Sequence, residues 1–278
     1  MKKVLFSLIL IIISFLSGCS KNSHMKIHII DVGQGDSILI QTPNTKNILV
    51  DGGTDDSEHI VKSYLKKQKV KYIDYVIATH PDSDHIGGLD SIIKKFQVKS
   101  IYMPEQSTDS LAYKNLVTAC SDKNIAINYL YKGDILNIEE YIDLLVLSPS
   151  FIQHENNLNS IVFKLDFKNK SFLFTGDAEL STENDVINSF QLEDVDFLKV
   201  AHHGSSSSTS MNFLSETTPD VAVISCGYKN QYGHPHRSTL DNLSNSDIIT
   251  YRTDLSGDMV FYSDGETIYT KKNYEYIK

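Results

Sequence analysis

The sequence predicts an α+β fold of four layers, an αββα sandwich in which two mixed β-sheets pack face to face with helices outside. Short apolar runs bounded by turn residues recur in both halves of the chain, as strands do. Segments with helical periodicity alternate with these runs. No long Pro-, Ser- or Gly-rich linker divides the chain, and no repeat of about 20–50 residues indicates a solenoid. Two β-rich blocks with interleaved helices imply two packed sheets.

Chain length and composition fit one such fold. The 278 residues are 41% hydrophobic and 22% charged, which supplies one large core and favours one large domain over two small ones. We expect this single domain to occupy residues 25–278. Residues 1–24 have a different character.

The first 24 residues predict a lipoprotein signal peptide and a short tether. Lys2 and Lys3 precede an apolar run from Val4 to Leu16, which is too short to span a bilayer and is typical of a signal peptide. The run ends in Leu16-Ser17-Gly18-Cys19, which resembles the bacterial lipobox, so we expect Cys19 to carry a lipid anchor. The protein would then be a cell-membrane lipoprotein on the outer face. The alternative is a short buried helix that ends in Gly-Cys.

The charge balance argues against one class of function. The chain has 26 basic and 35 acidic residues, a net charge of −9 that becomes −11 when the two leader lysines are removed. An acidic surface does not attract polyanions at long range, which counts against high-affinity, non-specific DNA binding. Cys120 and Cys226 would remain after lipidation, either paired outside the cytoplasm or buried as small apolar residues.

Apolar runs and turn residues define the elements of the first half. Gly33-Gln34-Gly35 and Pro43-Asn44-Thr45 are turn sequences that separate the first three strands. Apolar residues at helical spacing line one face of the first helix, which Ser57 can cap. The predicted elements are strands 26–31, 37–41 and 47–50, helix 57–68, strand 75–79, helix 84–96, strand 99–103 and a helix near 110–121.

The second half repeats the alternation of strands and helices. Its last strands are joined by Asp264-Gly265, a strong hairpin turn. The predicted strands are 141–147, 160–166, 171–175, 196–200, 221–226, 248–251, 258–262 and 267–270. The predicted helices lie near 179–190, 211–216 and 237–243.

The segment His80-Pro81-Asp82-Ser83-Asp84-His85 directly follows an apolar strand and carries four metal-competent side chains. Placing two carboxylates beside two imidazoles costs desolvation and repulsion unless a cation lies among them. Gly87 and Gly88 follow and allow a tight turn. The cluster therefore predicts a metal site at the end of this strand.

Further polar groups follow other predicted strands. Gly176-Asp177, His202-His203-Gly204 and Gly233-His234-Pro235-His236 each come after an apolar run, and Asp31 and Asp51 close two of the first strands. Taken singly, each has an ordinary explanation as a turn, a helix cap or a structural histidine. Loops at one edge of a sheet can converge, so their joint occurrence predicts one shared site.

These motifs resemble the metallo-β-lactamase superfamily of metallohydrolases and, more narrowly, the hydrolase domain of the ComEC/Rec2 competence proteins. The resemblance runs from about Met25 to the C-terminus and implies the metallo-β-lactamase fold and a binuclear metal centre. It does not include the multi-helix membrane channel of those proteins, so the chain resembles a stand-alone, surface-anchored relative. The motifs that carry the resemblance are Asp31–Ser37, Leu49–Gly53, His80–Gly88, Asn159–Val162, Thr175–Asp177, Leu198–Ser205 and Tyr232–Pro235.

The chain departs from the usual superfamily pattern at two positions. Asp82 stands where relatives have a second histidine, and no histidine lies at the expected position before Asp177. We infer that His203 fills that vacancy, as adjacent histidines do in the surface phosphorylcholine esterases of the superfamily, although the choice between His202 and His203 stays open. The resemblance then implies one site of His80, Asp82, His203 and Asp177, and a second of Asp84, His85, His234 and Asp177.

The implied cofactors are two divalent metal ions, Zn²⁺ or Mn²⁺, bridged by Asp177. The oxygen ligand from Asp82 makes manganese more plausible than in a histidine-rich site. Two such ions can lower the pKa of a shared water and offset the charge that develops on a phosphate ester. Asp84 is a predicted catalytic ligand, and His202 is a candidate for leaving-group protonation or phosphate contact, or for holding its own loop.

Other residues have supporting roles in this interpretation. Asn159 and Ser160 could contact substrate or only terminate a strand, and Ser205 begins a serine-rich rim near the site. Three carboxylates are predicted to orient loops or ligating histidines rather than bind metal. They are Asp31, Asp36 and Asp51.

The leading functional hypothesis is a phosphodiesterase or nuclease that acts outside the cytoplasmic membrane on a nucleic acid or envelope phosphodiester. The alternatives are hydrolysis of a small or cell-envelope phosphodiester such as a phosphorylcholine ester, and a non-catalytic envelope-binding module on the same fold. We predict no protein partner, and a β-lactamase activity fits the late histidines less well.

Overall fold

The predicted αββα sandwich is confirmed by the computed structural model, which describes residues 24–192 and 194–277. Within these residues, two mixed sheets of eight strands pack face to face, with helices on both outer faces. The predicted signal peptide and the predicted lipidation at Cys19 lie outside the described residues. No helix in the described ranges is long and apolar enough to cross a membrane.

The first sheet combines the first half of the chain with two strands from near its end. Strands β3, β4, β5 and β6 are parallel, whereas β15, β14, β1, β2 and β3 form an antiparallel series. The spatial order is β15-β14-β1-β2-β3-β4-β5-β6. The bounds are β1 (Met25–Ile29), β2 (Ile38–Gln41), β3 (Asn47–Val50), β4 (Tyr72–Ile77), β5 (Gln97–Met103), β6 (Ile127–Tyr129), β14 (Met259–Ser263) and β15 (Ile268–Thr270).

The second sheet also combines parallel and antiparallel strands. Strands β10 to β13 are parallel, and β7, β8 and β9 continue the sheet as antiparallel neighbours. The spatial order is β16-β13-β12-β11-β10-β9-β8-β7. The bounds are β7 (Ile135–Glu139), β8 (Ile142–Ser148), β9 (Val162–Phe167), β10 (Lys170–Phe174), β11 (Phe197–Lys199), β12 (Val221–Ile224), β13 (Ile249–Arg252) and β16 (Tyr276–Ile277).

Helices cover the outer face of each sheet because each buries one apolar stripe. Val61 and Leu116 pack with Val76 against the first sheet, and Val186 and Phe213 pack in the same way against the second. The helices are α1 (Glu58–Lys67), α2 (Ser83–Ile86), α3 (Leu89–Lys95), α4 (Leu111–Asp122), α5 (Leu180–Ser189), α6 (Met211–Thr217), α7 (Arg237–Asn245) and α8 (Thr253–Ser256).

The core between the sheets is mainly aliphatic, and most of its phenylalanines lie on the second sheet. Phe163 stacks on Phe174 at 4.8 Å between ring centroids, and both lie in the second sheet. Phe197 of β11 meets Phe261 of β14 edge to face at 5.1 Å, which joins the two sheets directly. Aromatic pairs of this geometry add about 0.5–1.5 kcal/mol beyond their buried area.

The structure differs from the prediction in one divided helix, in three missed strands and in the missed helix α8. The helix predicted over 84–96 is wrong as one element: it is two helices, α2 and α3, broken at Gly87 and Gly88. A Cβ on Gly88 would lie 2.3 Å from the carbonyl oxygen of Gly52, so the break brings this junction against the loop after β3. The prediction also missed β6, β7 and β16, which lie at or beside sheet edges and lack a continuous buried face.

Candidate metal centre

The predicted site residues lie where parallel strands of both sheets end. His80 follows β4 of the first sheet, Asp177 follows β10 of the second, and His202 and His203 follow β11. Carboxyl ends of parallel strands meet at one edge of a sheet, and the two packed sheets bring their edges together. The local sequence of each loop thus delivers one or two polar side chains to a common point.

One group of ligand atoms forms around Asp84. The ligand atoms of Asp84, His85, Asp177 and His203 all lie within 4.8 Å of one another. His203 Nε2 is 3.3 Å from Asp84 Oδ2 and 3.5 Å from Asp177 Oδ2, and His85 Nε2 is 3.2 Å from Asp177 Oδ1. These distances suit atoms that surround a cation rather than atoms that bond to each other.

A second group adjoins the first across Asp177. His80 Nε2 lies 3.6 Å from Asp82 Oδ2 and 3.9 Å from Asp177 Oδ2, and His202 Nε2 lies 3.8 Å from the same oxygen of Asp177. The predicted grouping of His203 with His80 and Asp82 does not match this geometry, because His203 points to Asp84. His202 lies in the group with His80, a position that we predicted for His203.

Buried atoms without partners test whether a metal fits here. Among the described residues, Nε2 of His80, His85 and His203 and Oδ1 of Asp177 are buried and accept or donate no hydrogen bond. A buried polar atom left unpaired costs about 1–3 kcal/mol, so four of them at one point need a common partner. Nitrogen and oxygen donors of this kind fit a divalent transition metal.

The opposite ring nitrogens explain why these atoms face inward. His85 Nδ1 lies 2.8 Å from Asp51 Oδ2, and His203 Nδ1 lies 3.0 Å from the carbonyl oxygen of Ser225. His80 Nδ1 lies 3.1 Å from Thr79 Oγ1, whose own hydroxyl donates to Asp51 at 2.7 Å. Each ring therefore carries its proton on Nδ1 and presents the lone pair of Nε2 to the centre.

The charges at this point are strongly coupled. Burial opposes the charged form of His85, but the carboxylates of Asp177 and Asp51 outweigh it and raise its pKa well above the usual range. Burial likewise opposes ionisation of Asp177, yet His203 and His85 hold its pKa well below normal. The excess carboxylate charge thus attracts protons, and a bound cation would displace them.

The backbone between β11 and α6 is strained where the two histidines sit. His202 and His203 both have positive φ values, 48° and 54°, which residues other than glycine rarely adopt. Successive residues of this kind cost about 1–3 kcal/mol each and are usually found at functional sites. The two rings point to different groups of side-chain atoms.

Beneath His203 lies a buried ion pair. Lys199 Nζ is 2.8 Å from Asp36 Oδ2 and donates to the carbonyl oxygen of Val200 at 2.9 Å, and both charged side chains are almost fully buried. Burial opposes the charge on Asp36, but Lys199 and His203 lower its pKa. The backbone amide of Asp36 donates to the carbonyl oxygen of Asp84 at 3.2 Å, so the pair supports two predicted ligands.

His234 lies at the rim of the centre rather than in either group. Its ring centroid is 5.6 Å from that of His202 and 6.3 Å from that of His203. Burial, followed by the neighbouring histidines, lowers the pKa of His234 to about 4, so the ring is neutral near pH 7. Gln34 Nε2 lies 3.4 Å from His234 Nδ1, and Gln34 Oε1 accepts from the amide of Gly227 at 3.2 Å.

The predicted substrate residues have structural partners. Asn159 is fully buried, and its carboxamide accepts from the amide of Gln153 at 2.7 Å and donates to Gln106 Oε1 at 2.8 Å, so it is not placed to contact substrate. Ser160 Oγ accepts from the amide of Asp177 at 3.1 Å and fixes the bridging carboxylate. Ser205 Oγ lies 3.1 Å from Ser207 Oγ within its own loop.

The three carboxylates that we predicted to orient loops or histidines differ in what they contact. Asp51 contacts His85, and Asp36 Oδ1 lies 3.7 Å from His203 Nδ1, as orienting residues should. Asp31 instead accepts from the amide of Gly33 at 3.1 Å and stabilises a turn, with no ligand in contact. Cys120 and Cys226 are buried free thiols whose pKa values burial raises to about 11 and about 12.

Three residues that shape the site were not among the predicted site residues. Thr79 links Asp51 to His80, and Asn156 Nδ2 donates to Asp82 Oδ1 at 2.5 Å. Lys199 is the third, and a lysine inside an apolar strand was the signal that could have found it. A cavity of about 580 Å³ opens beside the centre, with a polar and largely acidic lining of Asp82, His154, Glu155, Asn156, Asn157 and Glu179.

Comparison with curated proteins finds relatives over most of this chain. It is 32% identical over 254 residues to ComE operon protein 3 of Bacillus subtilis, covering 85% of this chain and 33% of that protein. It is 32% identical over 238 residues to Recombination protein 2 of Haemophilus influenzae, covering 84% of this chain and 28% of that protein. The chain thus spans about a third of the length of the curated relatives it matches.

Solved structures share the fold at low identity. CmlA, a diiron β-hydroxylase from Streptomyces venezuelae, superposes with a TM-score of 0.57 and 12% identity over 85% of this chain and 53% of that one. A diphosphatase of the PhnP family gives a TM-score of 0.51 and 13% identity over 86% and 98%. At this identity the likeness extends to the fold alone.

A protein-family model also matches most of the chain. The model described as the metallo-beta-lactamase superfamily matches residues 30–228, which include every predicted ligand up to His203. The two sheets, the strand-end loops and the inward-facing histidines of this structure are what that match requires. On this evidence the chain belongs to the metallo-β-lactamase superfamily.

Proposed function

We propose that the protein is a binuclear metal-dependent hydrolase that cleaves phosphodiester bonds. The observation that carries the proposal is the convergence of four buried ligand atoms, Oδ1 of Asp177 and Nε2 of three histidines, which have no hydrogen-bond partner among the described residues. The superfamily consists mostly of metal-dependent hydrolases, which supports hydrolysis as the reaction class. The chemistry of the donors supports Zn²⁺ or Mn²⁺ as the cofactor.

The proposed ligands form two sets that share Asp177. Two oxygens of one carboxylate lie near both groups, which supports a bridging role. His202 belongs to the first set and His203 to the second on the distances given above. The first set is His80, Asp82, His202 and Asp177, and the second is Asp84, His85, His203 and Asp177.

Two divalent cations would supply positive charge for the phosphate oxygens and lower the pKa of a water molecule. The residues of the chain supply orientation and hydrogen bonds. Because Gln34 Nε2 donates to His234 Nδ1, the proton of the neutral ring resides on Nε2, where it can donate a hydrogen bond to a phosphate oxygen. His234 therefore takes the phosphate-contact role that the sequence suggested for His202.

The acidic cavity favours one substrate class within the phosphodiesters. Glu155 and Glu179 line it together with Asp82, and the whole chain carries a net charge of −9. A long polyanion would be repelled from this surface, whereas a small or envelope phosphodiester with a neutral or cationic alcohol would not. The name of one relative, Recombination protein 2, favours a nucleic acid as the other candidate.

The proposal is tested by metal stoichiometry and turnover measured together. We expect two equivalents of metal in the purified protein, one after His203→Ala or His202→Ala, and fewer than one after Asp177→Ala. Turnover of bis-p-nitrophenyl phosphate should fall by more than about 100-fold in Asp177→Ala, because even changes outside the ligand set typically cost 10–100-fold. His59→Ala is the control, since this histidine is exposed on α1, on the outer face of the first sheet.

The substrate panel separates the candidates. Linear DNA, p-nitrophenyl phosphorylcholine and nitrocefin are assayed with the same metal-loaded protein and with Asp84→Ala. Hydrolysis of one phosphodiester, lost in Asp84→Ala, identifies the class. Two bound metals with no hydrolysis of any substrate would reject the enzyme and favour a binding module, and two metals retained in His203→Ala would reject the ligand sets.

A further inference from the structure

A basic cavity lies at the end of the first sheet that is opposite the metal centre. It has a volume of about 510 Å³ and is built from the start of β1, the β2–β3 turn and the residues around the start of β4. The metal ligands follow the other end of β4, whose six residues span about 20 Å. The lysines that line the cavity are Lys26, Lys46, Lys69, Lys71 and Lys99.

The charge of this cavity is opposite to that of the protein. Five lysines face one carboxylate, Asp74, in a chain whose net charge is −9. Asp74 contacts Lys99 at 2.5 Å and Lys46 at 3.6 Å, and among the described residues the other three lysines form no ion pair. Lysines that line one cavity repel one another, and an anion with several negative groups would relieve this repulsion.

The basic surface extends beyond the cavity. A neighbouring cavity of about 220 Å³ shares Gln68 with the first and is lined by Lys67, Lys271 and Lys272. Asp258 is its one acidic residue in the described part of the chain, and Tyr64, Tyr262 and Tyr274 complete most of the wall. The two cavities together make a continuous face of eight lysines and two aspartates, which we call the basic face.

The apolar N-terminal segment joins the molecule at the rim of this face. The first described residue, His24, and the nearby Lys26 both line the larger cavity. The preceding residues include the apolar run from Val4 to Leu16 and the lipobox-like Cys19. The predicted lipidation site is therefore only five residues before His24 in the sequence.

We propose that the basic face rests on the anionic phospholipid headgroups of the membrane that holds the N-terminus. Each lysine near an anionic membrane surface is attracted to it, and this attraction acts only within about a Debye length. The lysines must therefore lie close to the membrane, which a predicted attachment site a few residues before His24 would ensure. The metal centre then faces away from the bilayer and takes its substrate from the space beyond the membrane. The proposal does not depend on the activity of the metal centre.

The experiment uses the full-length protein reconstituted in nanodiscs of phosphatidylcholine alone or with 30% phosphatidylglycerol. Hydrogen exchange is measured in peptides covering 41–49 and 66–73. With the anionic lipid we expect exchange there to slow by about fivefold or more, the factor that one lysine at such a surface contributes. The triple variant Lys26→Gln, Lys69→Gln, Lys71→Gln should lose this protection, and so should the unmodified protein in 0.5 M NaCl.

A matched triple variant controls for the loss of charge. Lys95, Lys114 and Lys123 are exposed lysines on or beside α3 and α4, and their replacement by Gln should leave the protection intact. Equal exchange in the two lipid mixtures would overturn the proposal. Protection in phosphatidylcholine by soluble tripolyphosphate, or by an oligothymidylate, would also overturn it and assign the face to a soluble phosphate or a nucleic acid. Metal stoichiometry should be unchanged in all these variants.

Discussion

At the scale of single residues, the centre depends on which nitrogen of each histidine carries a proton. Asp51, Thr79 and the carbonyl oxygen of Ser225 occupy Nδ1 of three rings, and this leaves Nε2 free to bind metal. The buried pair of Asp36 and Lys199 adds a fixed charge below the ligands. These supporting contacts decide the geometry as much as the ligands do.

The buried pair gives the first prediction. Lys199→Met leaves Asp36 charged and unpaired, so we expect the free energy of unfolding of metal-free protein to fall by about 3–5 kcal/mol. Urea denaturation measures this change. The double variant Asp36→Asn, Lys199→Met should recover part of the loss.

The control for this prediction is a surface lysine. Lys164 pairs with Asp166 on β9 at 2.8 Å, and Asp166 is 41% exposed. Lys164→Met should cost less than about 1 kcal/mol, because exposed pairs contribute little. Equal losses in Lys199→Met and Lys164→Met would show that the buried pair has no special role.

At the scale of elements, helices and strands meet through polar contacts as well as apolar ones. His28 of β1 is buried under α1, where its Nδ1 lies 2.9 Å from Tyr64 Oη. Burial, with Lys26 nearby, lowers the pKa of His28 to about 4 from an ordinary value of 6.5. The contact between β1 and α1 thus requires a neutral ring.

This contact predicts a pH dependence of stability. In the unfolded chain His28 becomes protonated below about pH 6.5, whereas in the folded chain it stays neutral down to about pH 4. The contribution of His28 to the free energy of unfolding is therefore fully present above pH 6.5 and is lost as the pH falls from 6.5 to about 4. The loss is about 3 kcal/mol, at 1.36 kcal/mol per unit of pKa. Urea denaturation of metal-free protein at pH 7 and pH 4.5 measures it.

The variant His28→Gln should remove this contribution and flatten the pH dependence by a similar amount. His59→Gln, on an exposed face of α1, should leave the dependence unchanged. A pH dependence that is the same in the unmodified protein and in His28→Gln would contradict the assignment to this histidine.

At the scale of the whole molecule, the metal centre lies between the two sheets. The proposed ligands between His80 and His85 follow a strand of the first sheet, and those at Asp177, His202 and His203 follow strands of the second. Without cations, three carboxylates would repel one another across this junction. The proposed metals therefore stabilise the contact between the halves in addition to their chemical role.

Removal of metal should lower the melting temperature. A ligand at 100 times its Kd stabilises the folded state by about 2.7 kcal/mol, so treatment with a chelator should remove at least this much. Calorimetry before and after chelation, and after return of Zn²⁺ or Mn²⁺, measures the shift. Asp177→Ala should melt at a temperature that the chelator hardly changes, and a large shift in that variant would contradict a shared centre.

The sequence by itself determined the layered fold and the residues that can bind metal. Apolar runs located most strands, and imidazoles and carboxylates directly after those runs marked one sheet edge. Prediction was weaker for β6, β7 and β16, because edge strands lack the buried face that makes a strand recognisable.

Only the tertiary structure decided which side chains act together. His202 and His203 are adjacent in sequence, yet strained backbone sends them to different groups of ligands. The pairing of Lys199 with Asp36 and the assembly of the basic face likewise join distant parts of the chain. Local pattern encodes the periodicity of an element, whereas distances between side chains on different elements arise from packing of the two sheets.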